Sequence, residues 1–269
     1  VKKEFEKINN LVCEYYRKYY GKTLKLAETE ELVKKRLLED SGSFCSRFIL
    51  NLESFLGTLS GKKILIVGAG TGGEMAFLKS KDNEVYCIEP DSDAVKILHY
   101  KAQKYKIPAE NIIQGVGEDI PFESDYFEIV YCSSVLEHVK SVKRVIDEMI
   151  RVTVPKGKIC ISVPNYLYPC ERHYKIPVYP PALPFGKQLL KLSLKKRNRP
   201  TGFINTLNFI TNREIMKYLK SRILKQKIVC CSINPVDSSK NYFIRLYCVI
   251  FGITLHQEII ISKLKGNDA

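Results

Sequence analysis

The nine cysteines of this 269-residue sequence include no C-x-x-C pair, are odd in number, and fall mostly inside apolar runs (Cys87, Cys132, Cys160, Cys230, Cys231, Cys248). That pattern excludes a disulfide scaffold and a structural zinc site, and reads as small buried hydrophobes in a reducing compartment. Also missing is an apolar run of the roughly 20 residues a bilayer crossing needs. The longest candidate, Tyr242–Leu255, has 14 residues with Arg245 inside it. An apolar signal region is lacking too: Val1-Lys2-Lys3-Glu4-Phe5 leads into charged residues, and a valine in first place suggests a chain that lacks its initiator or begins internally. The expected location is therefore cytoplasmic. No internal repeat is present. Acids are absent from Arg172 to Arg213, where nine basic residues stand. Residues 172–269 hold 18 basic and four acidic groups, which accounts for the whole net charge of +14. Such a face attracts an anionic partner.

What is present, 45% hydrophobic and 27% charged residues, is enough for one large α/β domain with a normal core and excludes disorder and collagen. The first sixty residues read as amphipathic helices: Phe5, Ile8, Val12, Tyr15, Tyr16 and Tyr19 recur at three and four, Thr29 opens a second helix, and Phe44–Phe55 forms a third. At Gly61 the pattern changes. Ile64–Val67, after Lys62 and Lys63, is a short continuous apolar run, as expected of a central parallel strand. Helix from Gly72, strand Glu84–Glu89, helix from Asp91, strands Asn111–Gln114 and Phe127–Cys132, helix from Ser141 and strand Lys158–Val163 then alternate. This rhythm predicts an α/β, Rossmann-like, doubly wound, mostly parallel seven-stranded sheet, with 1–60 as an N-terminal helical cover and 61–269 as the main domain. Seven prolines between Pro164 and Pro200 break it, and 164–210 reads as a substrate or lid insertion after strand 5. A helix from Thr211 and strands near Lys227–Ser232 and Thr254–Ser262 close the chain.

Gly68-Ala69-Gly70-Thr71-Gly72-Gly73 follows a buried strand and opens a helix, so its backbone can approach a ligand closely. Read through Gly68, Gly70 and Gly73, it also fits the dinucleotide fingerprint, with Glu89 sixteen residues later as a ribose acceptor. An acid there disfavours a 2′-phosphate. The loop by itself leaves the cofactor open.

Downstream, Gly117-Glu118-Asp119-Ile120-Pro121-Phe122, Asp125–Val130, Ser133-Ser134-Val135-Leu136-Glu137-His138-Val139, Glu148, Arg151 and Pro155-Lys156-Gly157-Lys158 follow in order and close on Val163-Pro164-Asn165. With Ile64–Gly72 and Glu89, this stretch of about 62–165 resembles the class I S-adenosylmethionine-dependent methyltransferases, in particular the small-molecule branch related to ubiquinone-pathway enzymes. The resemblance implies S-adenosylmethionine as cofactor. It places the methionine part on Gly68, Ala69, Gly70 and Gly72, the ribose on Glu89 and Pro90, and the adenine edge on Gly117, Glu118 and Asp119, with Cys132 and Ser133 facing the reacting centre. Two departures stand out: the family often carries acids where this chain has Ile66 and Val116.

Methyl transfer needs alignment and exclusion of water, and a hydroxyl acceptor gains from a general base. His138, just after the fourth strand, is the candidate base, and His173 and Tyr174 can fold over the same mouth; packing of the turn is the plainer role for each. Some relatives hold a divalent metal on E-x-x-E-H. Here the matching run is Ser134-Val135-Leu136-Glu137-His138, the first carboxylate is gone, and no metal is expected.

Leu183–Leu194 alternates basic and apolar residues before Lys195-Lys196-Arg197, which suits a helix on a membrane surface or over an apolar ligand. The expected partner is a small-molecule, amphiphilic or lipid-linked acceptor, with peripheral contact to an anionic membrane. A nucleic-acid substrate ranks behind it: Tyr166, Tyr168, Tyr174 and Tyr179 could stack on bases, yet no RNA-binding module is visible. A nicotinamide-dependent (NAD) oxidoreductase and a catalytically silent cofactor-binding domain are the remaining alternatives.

Overall fold

A computed structural model describes residues 2–40, 56–226, 228–233, 242–251, 253 and 256–263. The expected helix at Phe44–Phe55 lies outside the described residues. Strands β1 (Lys63–Val67), β2 (Glu84–Glu89), β3 (Ile112–Gln114), β4 (Phe127–Ser133) and β5 (Thr153–Pro164) run parallel, and β8 (Ile228–Ile233) and β9 (His256–Lys263) complete a sheet ordered β3-β2-β1-β4-β5-β9-β8. Strand β9 is antiparallel to both of its neighbours. The strand order reverses between β1 and β4, the switch point at which doubly wound sheets bind ligands.

Both faces of β1 are buried, which is why its sequence is continuously apolar rather than alternating. Ile64 and Ile66 pack against Met75 and Leu78 of α3 (Gly73–Ser80) and Val95 and Leu98 of α4 (Ser92–Tyr105). Leu65 and Val67 face Val145, Ile146 and Met149 of α5 (Val142–Val152) and Ile215 and Leu219 of α7 (Asn212–Gln226). Local signals set the helix starts. Asp91 accepts from Asp93 N at 2.8 Å and Ala94 N at 3.0 Å, a cap worth about 1 kcal/mol. Thr211 and Glu214 form a reciprocal capping box at the head of α7.

The N-terminal helices α1 (Lys2–Arg17) and α2 (Thr29–Asp40) are joined through a π-helical turn, Lys18–Thr23. The insertion contains a small hairpin, β6 (Cys170–Glu171) with β7 (Ile176–Pro177), and helix α6 (Gly186–Lys196), so it is more ordered than its prolines suggest. Cover and insertion share one core: Tyr20, Leu24 and Leu32 pack with Tyr174, Leu190 and Ile204. The apolar segment near the C-terminus is helix α8 (Tyr242–Phe251). Among the described residues no helix is long and apolar enough to cross a membrane.

Candidate active site

Register brings three strand ends level. Val67 pairs with Ile88 on one side and Cys132 on the other, so Gly68, Glu89 and Ser133 rim one crevice. Gly68 has φ +70°, and a Cβ there would stand 2.3 Å from Val135 Cγ2, so only glycine fits the close approach of loop and β4 turn.

The loop turns its N–H groups inward. Gly68 N and Ala69 N donate to Ile88 O (2.8 and 3.3 Å), Gly72 N to Ala69 O (2.9 Å), and Gly70 N to Glu89 Oε2 (2.8 Å). Glu89 Oε1 accepts from Asp91 N at 3.0 Å, and burial raises the carboxyl's pKa against the opposing pull of both N–H bonds. A second carboxylate comes from the cover. Thr71 Oγ1 donates to Asp40 Oδ1 at 2.6 Å, Lys101 Nζ pairs with Asp40 Oδ2, and Tyr16 Oη lies 3.1 Å from Thr71 Oγ1. Ile66, where the family often has an acid, is sealed in the core, and Asp40 of α2 supplies a carboxylate beside the same loop from a different element.

This chemistry separates the two cofactors that the glycine spacing left open. A pyrophosphate needs free N–H donors and the open positive end of a helix. Here the N–H groups of Gly68, Ala69, Gly70 and Gly72 are committed, and a Cβ on Gly73, the first residue of α3, would lie 3.7 Å from Asp40 Oδ1, so Asp40 stands beside that helix start. Asp40 is already paired with Lys101, whereas the Glu89 carboxylate at the end of β2 suits ribose hydroxyls, and the loop with Glu89 fits S-adenosylmethionine.

Other expected contacts divide. Gly117 is buried, and a Cβ on it would touch Val67 Cγ1 at 3.0 Å, so it belongs to the crevice wall. Glu118 instead holds the segment that leads into α5, its Oε1 accepting from Lys140 N (2.7 Å) and from N of the N-cap Ser141 (3.2 Å). Asp119 and Pro90 are exposed nearby, and Val116 is 45% exposed, an unusual position for a large apolar side chain. Cys132 is corrected: its side chain is wholly buried in the sheet core, where burial pushes the thiol up, because strand alternation turns it away from the crevice. Ser133 is half-buried at the strand end.

The two histidines do meet. Their ring centroids are 5.3 Å apart, and Phe203 covers both at 5.9 and 5.1 Å, with Tyr19 of the cover 6.0 Å from Phe203. His173 Nδ1 bonds Glu171 Oε1 at 2.7 Å. His138 is lowered to about 4 by burial and by His173, so its ring is neutral at pH 7. Tyr174 is corrected: it is fully buried, donates from Oη to Pro200 O at 2.6 Å, and holds the insertion together rather than facing the mouth.

Glu137, next to His138, was not singled out as a candidate from sequence. It is 1% exposed and pushed up to about 7, chiefly by burial, while its Oε1 stands 3.9 Å from His138 Nε2. Asn208, at the end of the insertion, clamps this turn: its side chain donates to Leu136 O (3.2 Å) and Val139 O (2.6 Å), and its N–H to Glu137 O (2.8 Å). Among the described residues, the buried side-chain polar atoms without a hydrogen-bond partner are Glu137 Oε2, Tyr166 Oη and Arg172 Nη1. All three lie in one neighbourhood, since Glu137 and Tyr166 both raise the pKa of Arg172 while burial lowers it more strongly. The runs Glu137-His138 and Glu171-Arg172-His173 were the available sequence signals; Asp40, Tyr166 and Asn208 had none.

One ligand atom each from Glu137, His138 and His173 falls within 4.8 Å of the others. Exposed Ser134 takes no part in this group, and His173 comes to it from the insertion. One carboxylate and two imidazoles, with Glu171 orienting His173, fit a borderline ion such as zinc better than a hard one.

Residues 65–161 match a family model described as a methyltransferase domain. A demethylmenaquinone methyltransferase from Renibacterium salmoninarum is 28% identical over 107 residues, 40% of this chain and 43% of that protein. A ubiquinone biosynthesis O-methyltransferase from Salmonella paratyphi A is 23% identical over 184 residues, 68% of this chain and 70% of that protein. The chain spans less than half the length of the first curated relatives it matches. In fold it is similar to an S-adenosylmethionine-dependent methyltransferase structure from Mesorhizobium loti, with a TM-score of 0.53, 13% identity, and coverage of 84% of this chain and 100% of that one. With the reversing sheet, the glycine loop and Glu89 in place, residues 65–161 match the methyltransferase domain family, and the fold is the Rossmann-like fold of S-adenosylmethionine-dependent methyltransferase structures.

Proposed function

We propose that this chain methylates an oxygen of a small amphiphilic acceptor. The carrying observation is the set of three orphaned buried polar atoms, on Glu137, Tyr166 and Arg172, beside the aromatic wall of Phe203, Tyr19 and Phe209. A buried polar atom without a partner costs about 1–3 kcal/mol, a cost that a bound polar head group removes. Arg172 and Tyr166 offer N–H and O–H donors to such a head, and the rings pack its apolar body. The two relatives named for demethylmenaquinone and for ubiquinone biosynthesis support an acceptor with both characters.

When bound, S-adenosylmethionine supplies the activated methyl group. Glu89 would orient the ribose hydroxyls, and the Gly68–Gly72 loop would hold the amino-acid part. As the new C–O bond forms and the sulfonium S–CH3 bond breaks to leave a neutral thioether, the acceptor O–H would pass its proton to Glu137, whose pKa burial raises to about 7, with neutral His138 between the carboxylate and solvent. Phe203 and the cover exclude water.

A second reading of Glu137, His138 and His173 is a divalent metal site, favoured by their mutual 4.8 Å spacing; a metal there would supply Lewis-acid activation of the acceptor oxygen. Transfer of labelled methyl to a panel of phenolic amphiphiles and to RNA, before and after dialysis against a chelator, tests both. Labelled amphiphile, lost in Glu137→Gln and kept after chelation, supports the base; loss on chelation supports the metal; labelled RNA alone refutes the acceptor class.

A further inference from the structure

Helix α6 carries two apolar stripes, and core packing uses one. Leu190 and Leu194 are fully buried, whereas Phe185, Leu189 and Leu192 are 74%, 44% and 55% exposed. Leu189 and Leu192, three apart, fall on one face of the helix, opposite the buried pair, and Phe185 is the exposed left-handed N-cap just ahead of it. An amphipathic helix that only caps its own core has a polar outer face. Lys191, Lys195, Lys196 and Arg197 follow beside this stripe, and no acid occurs from Arg172 to Arg213. Helix α8 repeats the feature one turn apart with Leu246 (43%) and Ile250 (64%), and Tyr247 Oη, bonded to Leu167 O at 3.2 Å, holds it against the insertion.

We propose that α6 and α8 dock this protein on an anionic membrane surface, with Phe185, Leu189 and Leu192 entering the interface and the basic residues meeting phosphate-bearing head groups. An apolar stripe bordered by cations is the arrangement that lies in the head-group layer. A nucleic acid would need aromatic platforms on the basic face. Of the four tyrosines, Tyr166, Tyr168 and Tyr174 are buried; Tyr179 and Phe185 are the exposed rings of this segment, and the other exposed apolar side chains of both helices are aliphatic. The docking does not rest on methyl transfer, and it would bring an amphiphilic acceptor to the insertion.

Co-sedimentation of the full chain with vesicles of phosphatidylcholine alone, or mixed with phosphatidylglycerol, reads this directly. Binding is expected to be about tenfold stronger to the anionic vesicles and to weaken with salt. The surface pair Leu189→Glu with Leu192→Glu should lose it by about tenfold or more, and Lys191→Gln with Lys195→Gln and Lys196→Gln should erase the lipid preference. S-adenosylhomocysteine binding, unchanged in both variants, certifies their fold and separates this result from the cofactor reading. Equal binding of wild type and the glutamate pair, or no binding to anionic vesicles, would overturn the proposal. So would binding to single-stranded RNA with none to vesicles, which would assign the surface to nucleic acid.

Discussion

From Lys62 to Asn111 the buried polar side chains are paired. Asn83 bonds Leu78 O and Lys62 N, Asn111 bonds Val85 O, Lys101 meets Asp40, and Glu89 accepts two N–H groups. From Glu137 to Arg172 three buried polar atoms have no partner. The cofactor half is completed by its own hydrogen bonds, while the acceptor half is left for a ligand to complete. A fold spends stability where specificity is needed, and the orphaned atoms mark that place without reference to any relative.

The sharpest way to break this contrast is to create an orphan in the paired half. Asp40→Leu leaves Lys101 charged in a site where its side chain is 3% exposed, and about 3–5 kcal/mol of stability should go, read by urea unfolding. Adding Lys101→Met should restore most of it. In the other half, Glu137→Gln should cost about 10²-fold or more in kcat with little change in cofactor affinity, measured by labelled methyl transfer. Glu89→Ala removes charged acceptors from the ribose and should weaken S-adenosylhomocysteine binding by about 10- to 100-fold. Asn208→Ala frees the 136–139 turn at a cost of about 1–2 kcal/mol, and should raise KM for the acceptor more than it lowers kcat.

The pH dependence sharpens the comparison. Glu137 is pushed up to about 7 when folded, above the roughly 4.3 of an unfolded glutamate. Its contribution therefore favours the native state below about pH 4.3 and is lost as pH rises to about 7. Glu137→Gln should accordingly gain stability relative to wild type between about pH 5 and 8. His138, depressed to about 4 from an ordinary value of about 6.5, works in the opposite sense: its contribution is complete above about 6.5 and lost as pH falls toward 4. His138→Gln should gain on wild type as the solution is acidified, measured by thermal unfolding across the same series.

The paired half was the legible one. Its strands are continuous apolar runs, its second helix starts at Asp91, and its loop is written in glycines, all short-range signals. The alternation of strand and helix and the place of Glu89 at the end of β2 followed from them; the strand order came from the structure. The acceptor half depends on contacts between distant segments: Asn208 clamps a turn seventy residues before it, and Tyr19 meets Phe203 across the whole domain; the same is true of Asp40, which reaches the glycine loop of the cofactor half from thirty residues away. Cys132 and Tyr174 were misread for the same reason, since which way a side chain faces at a strand end or in an insertion is set by its tertiary neighbours. His138 and His173 were expected at one mouth, and in the structure their rings meet under Phe203.

Calorimetric titration of the full chain with S-adenosylhomocysteine and with NAD, repeated on Glu89→Ala, tests most directly whether the inward-turned glycine loop and Glu89 hold an amino-acid nucleoside. Micromolar binding of S-adenosylhomocysteine, weakened in the variant, with no heat from NAD, is the expected result. Binding of NAD in its place would contradict the assignment and return the loop to a dinucleotide.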